Sequence, residues 1–443
     1  MKQHEDLNIF IHADYSQILS NAETFAQKLN GEQGPLRGEL IALKDNINVR
    51  GLSTSCASHI LDGYVAPYDA TVTRRIREAG GFILAKTNMD QFAMGSSTEY
   101  SYFGPTKNPV DPTRVPGGSS GGSAAAVQTG VVSMALGSET GGSVRQPAAF
   151  CGVVGLKPTY GRVSRYGLVA FASSFDQVSP FGRTVQDVAR LTEVIAGHDP
   201  NDSTSVEVDV PKYLDKPVDS VRGWKIGLPK QYFAEGLNQE IGDRIHSVAD
   251  WLKNEGAELV EIDIPHAEYS VATYYILTTA EASSNLARFD GMRYGLRETR
   301  DNLEGTYTST RHEGFGPEVK RRIMLGTYVL SAGYYEAYYG KAQKVRRLIR
   351  RDYDSAFEEV DVLLSPTTPT TAFELGAKTD DPLEMYLSDI YTVSANLTGI
   401  PAMSIPVGND CQNLPIGMQI MAKPFAEETI FQLGHYIERH WNS

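Results

Sequence analysis

Long apolar runs are missing from this chain of 443 residues. No stretch approaches the roughly 18–20 uninterrupted apolar residues of a membrane-spanning helix, so we predict none. Positive charge is also scarce: 41 Lys and Arg residues stand against 54 Asp and Glu residues, which gives a formal net charge of −13. Because gripping nucleic acid needs a basic field, this balance argues against RNA binding by bulk electrostatics. Any RNA has to be held by a local patch or by a partner.

Cysteine is rare too, with three residues in the whole chain. Cys56, Cys151 and Cys411 lie far apart in sequence and form no metal-ligand spacing, so we expect isolated reduced thiols. The N-terminal residues lead into a mixed segment without an apolar signal core, which argues against secretion. We therefore expect a cytoplasmic or organellar protein and predict no metal site.

The composition is that of an ordinary globular protein, 41% hydrophobic and 21% charged. Short apolar runs of strand length alternate with stretches of helical periodicity, which predicts an α/β fold. Strands are predicted at 39–43, 82–86, 131–136, 224–228, 361–366, 402–407 and 417–422. Helices are predicted at 15–29 (with a turn at 31–34), 70–79, 123–128, 184–197, 240–254, 271–289, 319–359 and from 427 onward.

One region interrupts the alternation. Residues 264–320 are predicted to form a helical and loop insertion, and the polar segment 297–316 within it is long enough for a lid or a binding loop. The long helical stretch that follows is expected to break near Gly333. Because the chain has no fixed-period repeat and no low-complexity tail, we predict one domain over residues 1–443.

Two Gly/Ser clusters, at 117–123 and 137–147, bracket one predicted strand. Glycine lets backbone N–H groups approach an anion closely and permits positive φ. Neither cluster has the lysine of a phosphate-binding loop or the glycine spacing of a dinucleotide site. A flexible linker would separate two domains instead of bracketing a strand. The remaining interpretation is a rigid active-site loop with reactive serines.

A serine nucleophile needs a base. None of the nine histidines lies in or next to the clusters, although folding could bring one close. A lysine can replace histidine if burial lowers its pKa from about 10.4 toward neutrality. Lys44 is placed for this role at the end of an apolar strand, although a solvated lysine is the commoner occupant of a strand end.

Together these residues resemble the amidase-signature family, whose hallmark is the Gly/Ser-rich region seen here at 117–146. The upstream lysine lies in the family's context, Leu-Lys-Asp-Asn, at 43–46. The resemblance implies the family's α/β fold, a large mixed, mostly parallel sheet flanked by helices on both faces.

The resemblance also implies a Ser–cis-Ser–Lys catalytic triad. Its nucleophile falls on Ser143, its bridging cis-serine on Ser119 and its base on Lys44. The oxyanion hole would be formed by backbone N–H groups at four consecutive residues: Thr140, Gly141, Gly142 and Ser143.

Motifs at 285–291, 319–327, 333–335 and 381–383 narrow the resemblance to one branch of the family. That branch is the glutaminase component, the A subunit, of tRNA-dependent amidotransferases. It implies that the chain hydrolyses glutamine through a serine acyl-enzyme. The ammonia would convert misacylated Glu-tRNA(Gln), Asp-tRNA(Asn) or both in an ATP-dependent reaction.

The branch also implies a pocket for free glutamine. Arg322 would hold the α-carboxylate through a bidentate fork, and Asp389 would neutralise the α-ammonium group. Tyr274 would complete the pocket, although Tyr275 lies directly beside it.

The implied partners are the B and C subunits of the amidotransferase, in a heterotrimer, with misacylated tRNA bound mainly through a partner. No cofactor is expected in this chain, because ATP and Mg²⁺ would bind to the partner that amidates the tRNA. The segment before residue 36 is shorter than in this branch, which is expected to affect contacts with partners and not the triad.

Two other functions stay open. A stand-alone amidase acting on other small amides would carry the same signature. A catalytically idle scaffold protein would be favoured if a triad residue were replaced, and none is. The basic run at 341–351 is interpreted as a solvated helix face, with a partner or tRNA contact as the alternative.

Overall fold

The computed structural model of the chain describes residues 1–28, 34–215, 217–234 and 236–441. Within these ranges eleven strands form one sheet. In chain order the strands are β1 (Phe10–Ile11), β2 (Leu40–Lys44), β3 (Phe82–Thr87), β4 (Met134–Glu139), β5 (Val154–Lys157), β6 (Gln177–Gly182), β7 (Lys225–Pro229), β8 (Glu258–Ile262), β9 (Val362–Pro366), β10 (Ala402–Asn409) and β11 (Pro415–Met421). Their spatial order is β1-β3-β2-β4-β6-β5-β10-β11-β9-β7-β8.

Helices connect and cover these strands. The α-helices are α1 (Tyr15–Lys28), α2 (Thr71–Glu78), α3 (Gly121–Gln128), α4 (Arg145–Cys151), α5 (Val185–Ile195), α6 (Gln239–Asn254), α7 (Ser270–Asn285), α8 (Leu303–Gly314), α9 (Pro317–Val329), α10 (Lys341–Glu359), α11 (Pro382–Leu387), α12 (Val393–Thr398) and α13 (Glu427–His440). Capping residues set several starts: Thr184 and Asp187 form a capping box at α5, and the Asn238 side chain caps α6.

The sheet is mixed, as predicted, but parallel pairing does not dominate it. Parallel pairs occur toward the two ends, in β3-β2-β4 and in β9-β7-β8. Among the strand pairs of the described residues, six are antiparallel and four are parallel. The middle of the sheet is antiparallel because the hairpin β10–β11 and the unpredicted strands β5 and β6 lie between the parallel ends.

Hydrophobic layers lie on both faces of the sheet, and β9 shows this residue by residue. Leu363 packs into a cluster with Leu277 of α7. Its neighbour Leu364 points the other way, into a cluster with Ile245 of α6 and Ile430 of α13. Because successive side chains of a strand point to opposite faces, this alternation places helices on both sides, as predicted.

Most predicted elements are confirmed to within a few residues, but two differ. The strand predicted at 131–136 is β4, which begins later and runs to Glu139, inside the second Gly/Ser cluster. It extends because the unpredicted β6 pairs with it as far as Glu139 and Gln177. The polar segment 297–316 was predicted as a loop, and this is wrong because it contains helix α8. Its role as a lid or binding segment stays a prediction.

The break near Gly333 is confirmed, since Gly333 has a φ of 84° between α9 and α10. Residue 29 of the first predicted helix and residues 31–33 of the predicted turn lie outside the described ranges. The assignment of residues 1–443 to one domain with an insertion stays a prediction. In the part of the chain that the structure describes, no helix has the length and apolar character needed to cross a membrane.

The basic run at 341–351 is only partly a solvated helix face, so that interpretation is wrong for two arginines of α10. The Arg346 side chain donates through Nε to the carbonyl of Leu397 at 2.7 Å. Arg350 donates to the carbonyl of Thr398 at 2.6 Å. These carbonyls end helix α12 and lack intrahelical partners, so the arginines satisfy them and anchor that helix.

Candidate active site

Lys44 is the last residue of β2, a strand that lies between β3 and β4. Its side chain is fully buried. The ammonium nitrogen Nζ donates to Ser119 Oγ at 2.8 Å, to Ser120 Oγ at 2.8 Å and to the carbonyl of Ser138 at 3.2 Å. The lysine therefore touches both Gly/Ser clusters, and the alternative of a solvated strand-end lysine is wrong.

Burial lowers the pKa of Lys44 from its usual value of 10.5 to about 7. Removing an ammonium ion from water disfavours the charged form. The negative charges of Asp90 and Asp176 oppose this change, followed by weaker effects of Cys56 and Glu139. The result is a lysine whose neutral amine is available near neutral pH.

The first cluster carries Ser119 against this lysine. The Gly118–Ser119 peptide bond is cis. The Ser119 carbonyl accepts from the backbone N–H of Asp90 at 3.2 Å, and the Gly118 N–H donates to Gln146 Oε1 at 2.9 Å. A Cβ at position 118 would collide with Asp90 Oδ2, so glycine is required for this close approach.

The second cluster continues β4 into helix α4, and a buried ion pair braces the loop between them. Arg145 Nε donates to Glu139 Oε1 at 2.7 Å, and both side chains are fully buried. Glu139 Oε2 also accepts the backbone N–H groups of Val144 and Arg145, at 3.1 and 3.0 Å. Removing one partner of such a pair leaves an unpaired buried charge, so the two residues fix the loop 140–144.

Ser143 lies in that loop. It is 7% exposed, whereas Ser119 is completely buried, so Ser143 is the serine of the two that an incoming substrate can reach. The backbone N–H of Ser120 donates to the Ser143 carbonyl at 3.2 Å, which joins the two clusters. The structure thus brings the three predicted triad residues into one buried region.

The loop around Ser143 also contacts the predicted recognition residues. A Cβ on Gly141 would lie 2.5 Å from the Tyr274 hydroxyl oxygen. A Cβ on Gly142, whose φ is 150°, would collide with Thr392 Oγ1 and lie 3.0 Å from Asp389 Oδ1. Glycine is therefore needed at both positions for close approach, in addition to the freedom of φ at Gly142.

Arg322 lies on the buried face of α9, although its neighbour Arg321 is exposed. Its Nε donates to Glu318 Oε1 at 2.7 Å, and the rings of Tyr275 and Tyr386 each lie 5.2 Å from the guanidinium carbon. Burial would lower the pKa of Arg322, but the Glu318 carboxylate raises it above its usual value. Among the described residues only Nε is hydrogen-bonded, so both terminal amino groups can grip a carboxylate.

Asp389 is buried and half satisfied. Its Oδ2 accepts from Ser96 Oγ at 2.5 Å, but Oδ1 has no hydrogen-bond partner among the described residues. Burial raises the pKa of this carboxyl to about 7, against the lowering effects of the Ser96 hydrogen bond and the Arg322 charge. A buried oxygen without a partner is rare in folded proteins and is expected where a ligand group completes the site.

Tyr274 lies on α7, packed edge-on against Phe175 at a ring-centroid distance of 5.8 Å. Burial raises the pKa of its hydroxyl, which keeps it neutral and able to donate a hydrogen bond. Tyr275 instead stacks on Tyr386 with centroids 3.9 Å apart. The two adjacent tyrosines therefore have different places: Tyr274 meets the loop at Gly141, and Tyr275 lies against the Arg322 guanidinium.

Several residues of this site were missed from the sequence: Ser96, Ser120, Glu318 and Thr392. The Thr392 hydroxyl donates to the Gly141 carbonyl at 2.7 Å and so fixes the loop before Ser143. One of the four had a readable signal, because Glu318 precedes Arg322 by four residues and such pairs meet on a helix. Ser120 directly follows Ser119 in the first cluster, whereas Ser96 and Thr392 are brought in by long-range folding.

The sequence profile of the Amidase family matches residues 1–431, and the chain belongs to that family. It is 60% identical to the A subunit of glutamyl-tRNA(Gln) amidotransferase from Sulfurihydrogenibium sp., over 90% of this chain and 82% of that protein. The A subunit from Carboxydothermus hydrogenoformans is 57% identical, over 92% and 84% of the two chains. The crystal structure of the same subunit of glutamyl-tRNA(Gln) amidotransferase from Thermotoga maritima superposes with a TM-score of 0.80 at 48% identity, over 92% and 84%.

Proposed function

We propose that this chain is the glutamine-hydrolysing component of a glutamyl-tRNA(Gln) amidotransferase. One juxtaposition carries the proposal: the loop that adjoins the buried lysine–serine contacts lies against the half-satisfied carboxylate of Asp389, and the charge of Arg322, whose terminal amino groups are unbonded, acts on that carboxylate. The contacts between Lys44 and the serines suit the hydrolysis of an amide bond. The charged groups of Arg322 and Asp389 match a substrate that carries both an α-carboxylate and an α-ammonium group, which is a free amino acid. The names of the similar proteins support the same activity.

The acylation step uses the three triad residues. Neutral Lys44 takes the hydroxyl proton of Ser119, which in turn takes that of Ser143. The Ser143 oxygen attacks the side-chain amide carbon of glutamine, and the carbon–nitrogen bond then breaks. The relay returns the proton to the departing nitrogen, so ammonia leaves and a glutamyl ester stays on Ser143. Water hydrolyses this ester, which releases glutamate and regenerates the serine.

The negative oxygen that develops during attack is held by backbone N–H groups of the loop Thr140, Gly141, Gly142 and Ser143. Pre-organised donors of this kind contribute about 3–4 kcal/mol to stabilising the transition state. The buried pair of Glu139 and Arg145 keeps the loop in place without using those N–H groups.

Glutamine recognition is divided among three side chains. The terminal amino groups of Arg322 bind the α-carboxylate, and Asp389 Oδ1 accepts from the α-ammonium group. Tyr274 donates its hydroxyl hydrogen to the substrate next to the loop at Gly141. Binding of the zwitterion gives partners to the terminal amino groups of Arg322 and to Asp389 Oδ1 at once, which favours it over an uncharged amide.

The ammonia is consumed by another component of the complex. The partners are the B and C subunits of a heterotrimer in the cytoplasm. The partner that reads the tRNA also holds ATP and Mg²⁺, which activate the misacylated aminoacyl group for amidation. This division fits the acidic charge balance of the present chain, which needs no nucleic-acid site of its own.

A stand-alone amidase for other small amides is less well supported. An uncharged amide would leave the terminal amino groups of Arg322 and the Oδ1 atom of Asp389 without partners, at a cost in binding free energy. An idle scaffold is disfavoured because Lys44 remains in hydrogen-bond contact with Ser119.

The test is co-expression of this chain with candidate B and C subunits, followed by purification through a tag on this chain. Glutamine hydrolysis is then measured with and without Glu-tRNA(Gln) and ATP, beside a panel of uncharged small amides. We expect a stable complex whose glutaminase activity rises with charged tRNA and exceeds its activity on the panel. A chain that binds no partner and prefers uncharged amides would overturn the proposal.

A further inference from the structure

Ser120 occupies the N-cap position of helix α3 without capping it. Serine is favoured there because its oxygen can accept a backbone N–H of the first turn. The Ser120 hydroxyl makes no such bond. It turns instead toward Lys44 Nζ, 2.8 Å away, and the carbonyl of Ser138, 3.1 Å away. The Ser120 side chain therefore hydrogen-bonds to Lys44 and does not cap the helix.

The neighbouring residues make room for this contact. A Cβ on Gly137 would lie 2.7 Å from Ser120 Oγ, so a side chain there would push the hydroxyl away. Ser120 is completely buried, and its backbone N–H holds the carbonyl of Ser143. Ser120 thus connects the base to the loop of the nucleophile.

The hydrogen bonds of this group have a fixed direction. A serine hydroxyl has one hydrogen, and Ser120 donates it to the Ser138 carbonyl, so toward Lys44 it can only accept. The Ser138 carbonyl also accepts from Lys44, at 3.2 Å. A neutral lysine has two hydrogens and one lone pair. When the hydrogens point at Ser120 and Ser138, the lone pair is left facing Ser119, the third neighbour, at 2.8 Å.

We propose that Ser120 is a positioning residue that directs the lone pair of Lys44 toward Ser119, and so decides which of two adjacent serines relays the proton. The inference rests on one part of the proposed function, that Ser143 is an activated nucleophile. It does not depend on which amide is the substrate. Ser120 itself carries no proton between Lys44 and Ser143, because its hydrogen is committed to the Ser138 carbonyl.

This role has a signature in the pH dependence. The Ser120 oxygen accepts from the ammonium form of Lys44 and so stabilises it. The other ionisable groups acting on the lysine are Asp90, Asp176, Cys56 and Glu139, and none of them is altered by a change at position 120. Loss of the hydroxyl should therefore move the acidic limb of the rate profile to lower pH while the plateau rate falls, because the lone pair is no longer directed.

Helix α3 offers a matched control. Ser123 is also fully buried, and its hydroxyl donates to the Leu136 carbonyl of β4 at 3.0 Å. Its other partner is the Thr87 hydroxyl, at 2.7 Å. Ser123→Ala therefore removes a buried serine–β4 hydrogen bond without touching Lys44.

The experiment follows modification of Ser143 by a fluorophosphonate across pH 5–9, by intact mass, in the purified full chain. The serine oxygen bonds to phosphorus, the phosphorus–fluorine bond breaks, fluoride leaves, and the serine proton passes through Ser119 to Lys44. Glutamine is not used, so a failure of the proposed function leaves this test readable. Ser120→Cys accompanies Ser120→Ala, because a thiol keeps the volume but is a weak acceptor.

For Ser120→Ala and Ser120→Cys we expect a plateau rate that is lower by up to about tenfold, as for one lost hydrogen bond to a neutral group, and an acidic limb at lower pH. Ser123→Ala should have the plateau rate and the acidic limb of the wild type. Ser119→Ala should have a lower plateau rate than either Ser120 variant. The proposal is overturned if both Ser120 variants keep the wild-type rate and limb, if Ser123→Ala loses as much, or if Ser120→Ala is slower than Ser119→Ala.

Discussion

The catalytic region around Lys44 and the recognition region around Arg322 differ in how far the protein satisfies its own polar groups. Lys44 Nζ has three hydrogen-bond partners, all from this chain. In the recognition region the terminal amino groups of Arg322 and the Oδ1 of Asp389 have no hydrogen-bond partner among the described residues. The chain therefore organises the lysine end of the proposed proton relay in advance but leaves the charges of the proposed recognition region for a ligand to complete.

The largest expected effect comes from removing the nucleophile. Ser143→Ala should lower glutamine hydrolysis by about 10⁴-fold or more, because it removes the atom that forms the ester. Amidation of Glu-tRNA(Gln) with added ammonium salt should continue, since we propose that this step takes place on a partner. Both rates are measured on the purified complex. Loss of both activities would contradict the separation of hydrolysis from amidation.

The next largest effect concerns the base, which acts in its neutral form. Because burial lowers the pKa of Lys44 to about 7, the glutaminase kcat at saturating glutamine should fall as pH drops through about 7 and reach its plateau above that pH. The kcat is used because Asp389, whose pKa is also about 7, would affect kcat/KM through glutamine binding. Lys44→Ala should remove nearly all activity at every pH.

Lys157 supplies a control for that profile. Burial lowers its pKa to about 7 as well, but its Nζ donates to the Pro158 carbonyl at 3.0 Å. Lys157→Met should leave the position of the acidic limb unchanged. A limb that follows Lys157 instead of Lys44 would show that the base has been misassigned.

A smaller, selective effect is expected in the recognition region. Asp389→Asn removes the charge that we propose binds the α-ammonium group, so kcat/KM for glutamine should fall by the equivalent of about 2–3 kcal/mol. The comparison substrate is glutaramic acid, which lacks the α-amino group, and its kcat/KM should change little. If the variant still prefers glutamine over glutaramic acid as strongly as the wild type, Asp389 does not read the ammonium group.

The smallest effect concerns the scaffold that the two regions share. Arg346 anchors α12, and the Asn396 side chain of that helix accepts from Arg145, which braces the Ser143 loop. Arg346→Ala should lower the free energy of unfolding by about 1–2 kcal/mol, through unsatisfied carbonyls at the helix end. The exposed Arg347→Ala should change it by less than about 0.5 kcal/mol. If denaturant titrations give the same change in the free energy of unfolding for both variants, Arg346 belongs to a solvated face of α10.

The two regions also differ in how well the sequence predicts them. Lys44, Ser119 and Ser143 lie in recognisable motifs, and the structure places them in one buried region. Arg322 lies in the motif at 319–327, but beside Arg321 it has the pattern of an ordinary helix-face charge. Its burial depends on aromatic rings brought in from elsewhere, such as Tyr386 of α11. Without the family resemblance, nothing local would have singled it out.

The secondary structure also divides into elements that the sequence predicts and elements that it does not. Strands with continuous apolar runs, such as β2 and β9, are predicted to within a residue or two. The strands β5 and β6 were missed because they contain glycine, proline and polar residues and are stabilised by neighbours distant in sequence. Helix α8 was missed because its sequence is polar, with few buried positions to give it a period.

The most direct measurement of the central claim is to trap the ester. The assembled complex is mixed with glutamine, quenched in acid during the first turnover and analysed by peptide mass spectrometry. We expect a mass increase of one glutamyl group on the peptide that contains Ser143, and no such increase on the same peptide of Ser143→Ala. A glutamyl group on another residue, or full glutamine turnover by Ser143→Ala, would contradict the claim.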